Sequence, residues 1–189
     1  MEHCGTQSLE TARLLLRRFT VDDAQAMYQN WASDSEVTKY LMWPTHTDVL
    51  TSAKVLGEWV SAYERCDYYQ WAIVLKDEGQ EPIGSIAVVR QDEATAMAHI
   101  GFCIGRRWGR RGITAEALGA VLDFLFDTVL FNRIEARCDP RNGGSGRVME
   151  KCGMRYEGTL RAADWNNEGI CDTSYYALLK TDRQGTENK

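Results

Sequence analysis

The segment "GRRWGRRG", Gly105–Gly112, places four arginines and three glycines in eight positions, directly before the stretch "ITAEALGAVLDFLFD". The second stretch has apolar residues at helical spacing and predicts an amphipathic helix. The first N–H groups of a helix have no acceptor within it, and the helix dipole adds positive potential there. Glycines just before that point allow the backbone to approach a ligand. This arrangement favours binding of a small, strongly charged anion such as a phosphate group.

Two named phosphate-binding motifs are absent from this segment. A P-loop requires a lysine directly after its second glycine, and the dinucleotide fingerprint requires G-x-G-x-x-G. Taken alone, the segment fits a solvated arginine cluster equally well. The chain as a whole has a formal net charge of −5 and a pI near 5.3, which argues against general nucleic-acid binding. The basic segment is therefore interpreted as a local site for a small anion.

The elements around this segment alternate between strands and helices. The order predicted from apolar periodicity is β-α-α-β-β-β-α-β-α-β-β. A strand is expected over Leu9–Phe19, and "HIGFCI" predicts the strand before the basic turn. "NRIEARC" alternates apolar and charged residues and predicts a half-buried strand. A helix is predicted over Ser145–Cys152, with Ser145 as a candidate N-cap and Gly153 as its stop.

Length and composition predict one domain, residues 1–182, followed by a flexible tail at 183–189. The six cysteines have no metal-ligand spacing, so reduced thiols and no metal site are expected. The start of the chain lacks the pattern of a signal peptide, and no apolar run is long enough for a membrane span. We therefore expect a cytoplasmic protein with no nucleic-acid or membrane partner.

Several motifs together resemble the GNAT superfamily of acyl-CoA N-acyltransferases, in its RimJ/RimL-like branch. The motifs are "LETARLLLRRFTVDDA", "HIGFCIGRRWGRRGITAEAL", "NRIEARCDPRNGGSGRVMEKCGMRYEGTLR" and "DTSYYALLKTD", in the family's order over nearly the whole chain. The resemblance implies an α+β fold (α/β sandwich): a mixed, mostly antiparallel central sheet, splayed at the cofactor site, with helices on both faces.

The resemblance also implies an activity. The chain is expected to move an acetyl group from acetyl-CoA to a primary amine, either a protein N-terminus or a small-molecule amine, by direct attack in a ternary complex. The acceptor amine and acetyl-CoA are the expected partners, and the chain is expected to be a monomer or homodimer. The alternative from another class is a non-catalytic acyl-CoA-binding or sensing module with the same fold.

The implied cofactor site combines the basic turn with the preceding strand and a later helix. The family's loop pattern, Q/R-x-x-G-x-G/A, is in register with Gly109–Thr114, although Gly109 and Thr114 depart from its first and last positions. The residues expected to contact acetyl-CoA are Phe102, Ile104, Gly109, Arg110, Arg111, Gly112, Ile113, Thr114, Asn142 and Arg147.

The implied catalytic residues are His99 and Ser145. His99 stands where the family often has Glu, and a neutral imidazole can accept a proton near pH 7; Glu135 and Glu157 are fallback carboxylates. Many relatives use a Tyr as general acid where this chain has Met149, so Ser145 is the expected alternative donor. Two further residues, Trp43 and Trp165, are expected at the acceptor site, where simple packing is an equally available role.

Overall fold

The computed structural model describes residues 1–184. The first half contains strands β1 (Leu9–Glu10) and β2 (Leu14–Arg17), helices α1 (Ala24–Met27), α2 (Ser35–Thr38) and α3 (Val49–Ala62), and strands β3 (Gln70–Leu75), β4 (Pro82–Asp92) and β5 (Met97–Ile104). The second half contains α4 (Ile113–Asp127), β6 (Arg133–Cys138), α5 (Gly143–Lys151), β7 (Arg155–Asn166), β8 (Gly169–Leu179) and α6 (Lys180–Gln184).

The strands form one sheet in the order β1-β2-β3-β4-β5-β6-β8-β7. Every neighbouring pair is antiparallel except β5 and β6, which run parallel because α4 carries the chain across between them. The predicted α+β fold with a mixed, mostly antiparallel sheet is confirmed.

Helices cover both faces of this sheet. Apolar residues of α4, including Leu118, Val121 and Leu125, are fully buried against one face together with Ile100 of β5. The other face carries a smaller cluster in which Trp31 and Leu56 pack on Ala72 of β3. The buried side of α4 follows the helical periodicity of its sequence, whereas the second cluster combines segments far apart in the chain.

The sheet opens between its two parallel strands. Pairing of β5 with β6 runs from Met97↔Arg133 to Ile100↔Ala136 and ends there. On its other edge, β5 stays paired with β4 as far as Gly84↔Ile104. Residues 101–104 therefore have a strand on one side only, and the predicted splay is present at the predicted place.

Three local expectations need correction. The expected single strand over Leu9–Phe19 is two short strands, which pair with each other across a turn. The N-cap of α5 is Asn142, whose side chain accepts the Ser145 N–H, so Ser145 is the third residue of the helix, within its first turn. Strand β6 is covered on both faces rather than half-buried, because its Glu135 is only 8% exposed.

The C-terminal end of the chain continues from β8 into the short helix α6. This helix includes residues 183 and 184 of the segment predicted as a flexible tail. The rest of that segment, 185–189, lies outside the described residues.

The close approach of β4 to the end of β5 predicts that Gly84→Ala destabilises the fold. A Cβ at this position would lie 2.4 Å from the Cys103 carbonyl oxygen and 2.9 Å from the Ile104 Cα, so backbone must move. We expect a loss of about 1–3 kcal/mol in the free energy of unfolding, measured by urea denaturation. Gly57→Ala on α3 is the control, since nothing lies within 4 Å of its Cβ position; a gain of up to about 1 kcal/mol is expected there. Equal midpoints for Gly84→Ala and wild type would contradict this packing.

Candidate functional site

A cleft of about 370 Å³ lies where β5 and β6 diverge. Its lining comes from both faces of the sheet, since it includes Ile100 and Phe102 from the α4 side and His99 and Gly101 from the other. The cleft therefore passes through the sheet at the splay. Six of the residues predicted for the site line it: Trp43, His99, Phe102, Asn142, Ser145 and Trp165.

His99 lies in the last paired stretch of β5 and is directly opposite Glu135 of β6. The ring is 7% exposed, and its Nδ1 is 3.1 Å from Glu135 Oε1. With a carboxylate as partner, Nδ1 carries the proton and donates it, which leaves Nε2 as the unprotonated nitrogen. Within residues 1–184 no hydrogen bond engages Nε2. The geometry presents a neutral imidazole with a free lone pair at the cleft.

The electrostatics around His99 maintain this state. Burial lowers the pKa of His99, and the hydrogen bond and negative charge of Glu135 oppose that effect without cancelling it. Burial would raise the pKa of Glu135, but hydrogen bonds from His99 and Arg133 outweigh it and the pKa is lowered. Arg133 also holds Glu157 at 2.6 Å. Near neutral pH the pair is thus a neutral imidazole beside a carboxylate.

The two fallback carboxylates do not face the cleft. Glu135 and Glu157 share Arg133 as a partner and are absent from the lining. The position of Glu135 supports the ring of His99 rather than replacing its function. The sequence carries little signal for this pairing, because parallel register is not encoded by alternation within one strand.

The basic turn between β5 and α4 is shaped as an anion-binding nest. Arg110 and Gly112 both have left-handed backbone, with φ of 62° and 76°, and Gly112 is the N-cap of α4. The N–H groups of residues 110–115 donate to no carbonyl or side chain within the described chain. Alternating left-handed residues at a helix N-terminus aim such N–H groups at one concave point. The predicted loop therefore offers six free donors.

Side chains brace this loop from outside. Trp108 is 6% exposed, and its Nε1 donates to Glu78 Oε2 over 2.7 Å. The same carboxylate accepts from Arg111 Nη1 at 3.0 Å. Arg13 donates to the Arg111 carbonyl and forms a 2.6 Å ion pair with Glu116 in the first turn of α4. Arg111 thus contributes to positioning the loop, with its charge partly balanced by Glu78.

Arg110, in the loop, and Lys151, at the end of α5, form no ion pair with a carboxylate within residues 1–184. The Lys151 Nζ lies 3.6 Å from the position that a Cβ on Gly112 would occupy. Lys151, at the end of α5, was not predicted from the sequence. Lys151 ends helix α5, and it reaches the loop only because α5 packs beside α4. The sequence alone does not show that packing. The loop therefore has an excess of positive charge.

The first turn of α5 borders the cleft on the α4 side. Asn142 and Ser145 both line it, and the Ser145 hydroxyl has no hydrogen-bond partner within residues 1–184. Met149 is fully buried in the core one turn further along. A donor at the Met149 position is therefore replaced by apolar packing, while Ser145 leaves a hydroxyl available at the cleft.

Trp43, in the segment after α2, and Trp165, near the end of β7, both line the cleft. The ring of Trp43 is tilted against His46 at 5.4 Å between centroids, and Trp165 is 53% exposed. Asn167, in the β7–β8 turn, donates to the carbonyls of Thr38 and Trp43 over 2.8 and 2.9 Å. The Asn167 amide therefore connects the β7–β8 turn to the segment that carries Trp43.

The acidic side chains that line the cleft are already paired. Asp164 forms a 3.0 Å ion pair with Arg137. Asp139 is bonded to Arg141 and to the Asn166 amide, and these contacts lower its pKa to about 2. Neither carboxylate that lines the cleft is therefore left without a cationic partner to hold a cationic substrate.

Three thiols also line the cleft, those of Cys103, Cys138 and Cys171, and the first two flank the splay. Cys103 lies at the end of β5, and Cys138 lies at the end of β6, on the other side of the splay. Burial raises the pKa of the Cys103 thiol and raises that of Cys138 to about 11. Both are protonated near neutral pH.

Sequence reasoning missed several polar residues that line the cleft, among them Gln70 and Arg137. Gln70 opens a buried strand, and Arg137 continues the charged alternation of β6. The sequence shows that both residues are polar, but their position at the cleft depends on which strands are neighbours in the sheet. Of the predicted cofactor residues, Ile104, Arg147 and the loop lie outside the lining of this cleft.

Within residues 1–184 no group of three or more His, Cys, Asp or Glu side chains is arranged to hold a metal ion. In the same part of the chain, no helix is both long and apolar enough to cross a membrane.

Comparison with known proteins identifies the family. The model of the acetyltransferase (GNAT) domain matches residues 13–155. The uncharacterized N-acetyltransferase p20 of Bacillus licheniformis is 30% identical over 179 residues, which cover 95% of this chain and 99% of that protein.

Solved structures share the fold over the same extent. An acetyltransferase of the GNAT family from Bacillus anthracis superposes with a TM-score of 0.80 at 27% identity, covering 93% of this chain and 99% of that one. RimL, a ribosomal-protein alpha-N-protein acetyltransferase solved in complex with coenzyme A, gives a TM-score of 0.81 at 19% identity, covering 92% of this chain and 98% of that one.

The His99–Glu135 contact predicts how the imidazole titrates. We expect the pKa of His99, followed by NMR of its ring protons, to lie below the ordinary value of about 6.5. Because Glu135 favours the charged ring, Glu135→Gln is expected to lower that pKa further. Glu157→Gln is the matched control, since Glu157 also binds Arg133 but does not touch His99. A His99 pKa that rises in Glu135→Gln would contradict the contact.

Proposed function

The chain belongs to the GNAT acetyltransferase family, in its RimJ/RimL-like branch, and is an acyltransferase; from this premise we propose that it moves an acetyl group from acetyl-CoA to a primary amine by direct attack in a ternary complex. The acceptor is either a protein N-terminus or a small-molecule amine. The observation that carries the proposal is a neutral, carboxylate-oriented histidine in the cleft at the splay, together with the loop of free backbone donors that follows β5.

The residues present fit acetyl-CoA. The six free N–H groups of residues 110–115, with Arg110 and Lys151 beside them, suit the CoA pyrophosphate. The edge of β5 over 101–104 has no strand beside it, and an extended pantetheine arm can pair there as an added strand. Phe102, Ile104, Asn142 and Arg147 complete this site in the proposal. Acetyl-CoA supplies an acetyl thioester at the end of that arm.

His99 is the proposed general base. A primary ammonium is not nucleophilic, so the acceptor nitrogen must lose a proton. Nε2 of His99 accepts that proton, directly or through a water, because Glu135 holds the proton of the ring at Nδ1. Glu135 then stabilises the imidazolium that forms. In this proposal an N–H of β5 near Gly101 polarises the thioester carbonyl in the manner of an oxyanion hole.

Ser145 is the proposed proton donor on the other side of the cleft. Its Oγ lines the cleft and has no partner within residues 1–184. A hydroxyl in this place can hydrogen-bond a departing thiolate and supply its proton, directly or through water. Its backbone N–H is held by Asn142, which fixes the position of the first turn of α5.

The second candidate is an acyl-CoA-binding or sensing module without efficient chemistry. It is supported by Met149, which occupies the usual position of the tyrosine acid and is buried in the core. It predicts tight acetyl-CoA binding with no transfer to any amine. The hydrogen bond that orients His99 supports the acetyltransferase proposal, since a binding module does not need an oriented, neutral imidazole.

The acetyltransferase proposal predicts thiol release from acetyl-CoA in the presence of primary amines or peptides with N-terminal Ser or Ala. His99→Gln is expected to lower kcat about 10²–10⁴-fold, the usual contribution of a general base, while acetyl-CoA affinity stays within about two-fold. Glutamine keeps the size and can still bond Glu135 but cannot take a proton at neutral pH.

His46→Gln is the matched control. His46 is also a buried histidine with a lowered pKa, but it bonds Ser52 and does not line the cleft. Its kcat is expected to stay near the wild-type value. Tight acetyl-CoA binding by the wild type without turnover on any acceptor would favour the sensing module instead. Equal kcat in His99→Gln and wild type would reject His99 as the base.

The loop predicts which charges support acetyl-CoA binding. Arg110→Glu and Lys151→Glu each place a carboxylate beside the free N–H groups and are expected to raise the Kd of acetyl-CoA at least about ten-fold, measured by calorimetry. Lys54→Glu makes the same charge change on an exposed position of α3 and is expected to leave the Kd unchanged. A Kd insensitive to Arg110→Glu and Lys151→Glu would remove the pyrophosphate from this loop.

A further inference from the structure

The cleft extends beyond the reacting region to a buried amide that has no partner. Gln70, at the start of β3, is 5% exposed and lines the same cleft as His99. Its Nε2 is buried and makes no hydrogen bond within residues 1–184. Its backbone is fully engaged, because its N–H binds Thr6 and its carbonyl accepts from Tyr63. Only the side-chain amide is left for a partner in the cleft.

An unpartnered buried amide is costly to a fold. A group of this kind loses its hydrogen bonds to water and gains none in return. Leucine or methionine would fill the same space without that loss. The presence of glutamine is therefore accounted for by a ligand group that completes its hydrogen bonds.

The path from the reacting region to Gln70 is lined by small residues. Gln70 lies opposite Ala87 of β4, and Ala87 lies opposite Gly101 of β5. Residues paired across strands point to the same face, and neighbouring strands are about 4.8 Å apart. Gln70 and Gly101 are thus two inter-strand spacings apart, roughly 10 Å. Trp59 of α3 also lines the cleft.

This end of the cleft carries no charge. The residues that line it around Gln70 are Trp59, Ser85, Ala87, Val89, Gly101 and Cys103. The ionised lining residues, Arg137, Asp139 and Asp164, belong to β6, the residue after it, and β7. A charged group brought to Gln70 would lose its hydration with no countercharge, at a large cost. An uncharged group that can hydrogen-bond would lose little hydration free energy.

We propose that Gln70 ends an acceptor subsite that selects amines carrying an uncharged hydrogen-bonding group, a hydroxyl or a carboxamide, roughly 10 Å from the reacting nitrogen. The side-chain amide of Gln70, which has no partner within residues 1–184, hydrogen-bonds that group. The chain between the two ends lies over Ala87 and beside Gly101, against which the Val89 side chain packs. The subsite rests on the proposed function, because it determines which amine reaches His99.

A set of length-matched alkylamines tests this selection. Each carries one terminal group: methyl, hydroxyl, carboxamide, carboxylate or ammonium. For the wild type, kcat/KM is expected to be at least about ten-fold higher for the hydroxyl or the carboxamide member than for the methyl and carboxylate members. The comparison of hydroxyl with carboxamide identifies which of the two the subsite takes.

Variants at Gln70 separate recognition from folding. Gln70→Leu is expected to reduce the preference over the methyl amine to within about two-fold. Because it removes an unpartnered buried amide, it is also expected to raise the Tm by roughly 2–6 °C. Gln70→Glu adds a negative charge and is expected to make the ammonium member the preferred one. Ser85→Ala is the control: Ser85 lines the same end, but its hydroxyl already contacts Cys103, so the wild-type preference should persist.

Different results would overturn the proposed subsite and the proposed function. If the wild type acetylates neither these amines nor peptides with N-terminal Ser or Ala, the transferase proposal fails, and calorimetric titration of the hydroxyl, carboxamide and methyl amines into the protein–CoA complex decides the subsite alone. Equal wild-type values for the methyl, hydroxyl and carboxamide amines, in turnover or in binding, overturn it. So does a Gln70→Leu variant that keeps the wild-type preference, since the amide would then hold only water.

Discussion

The end of pairing between β5 and β6 is the constraint on which the site depends. As far as Ile100 the two parallel strands share a ladder, and after that the backbone of β5 is paired on one side only. Unpaired strand edges are normally covered or kept short in proteins. Here the opening joins the two faces of the sheet, so a donor bound on the α4 side can meet an acceptor that enters from the other. His99 and Glu135 belong to the last paired stretch, where the sheet is still rigid.

The buried ionisable groups show how a polar site is maintained inside this sheet. Glu135 is almost inaccessible, yet it accepts hydrogen bonds from both His99 and Arg133. Arg133 in turn reaches Glu157 near the surface. A buried carboxylate without such partners would take up a proton, and it could not then fix the tautomer of the ring. The chain of contacts from the surface to His99 therefore maintains the charge distribution that the proposed base requires.

The local patterns of the sequence predicted the elements, and the resemblance predicted the splay. The periodicity of α4 and the basic turn before it are local properties, so both were predictable. The pairing of His99 with Glu135 was not, because parallel register depends on how α4 packs across the sheet. Lys151 and Gln70 were missed for the same reason: each reaches the site from an element that is distant in sequence. The N-cap of α5 was assigned to Ser145 instead of Asn142, since both residue types cap helices and they stand three apart.

The raised thiol pKa values at the cleft have a consequence for selectivity between nucleophiles. A thiolate beside a thioester would exchange with it and leave the acyl group on the protein. Cys103 and Cys138 lie on the two sides of the opening, but burial keeps both protonated near neutral pH. In the proposed reaction an incoming amine therefore has no competitor from the walls of its own site. Apolar burial protects the enzyme from acylating itself, although it holds sulfur nucleophiles at the edge of the reacting region.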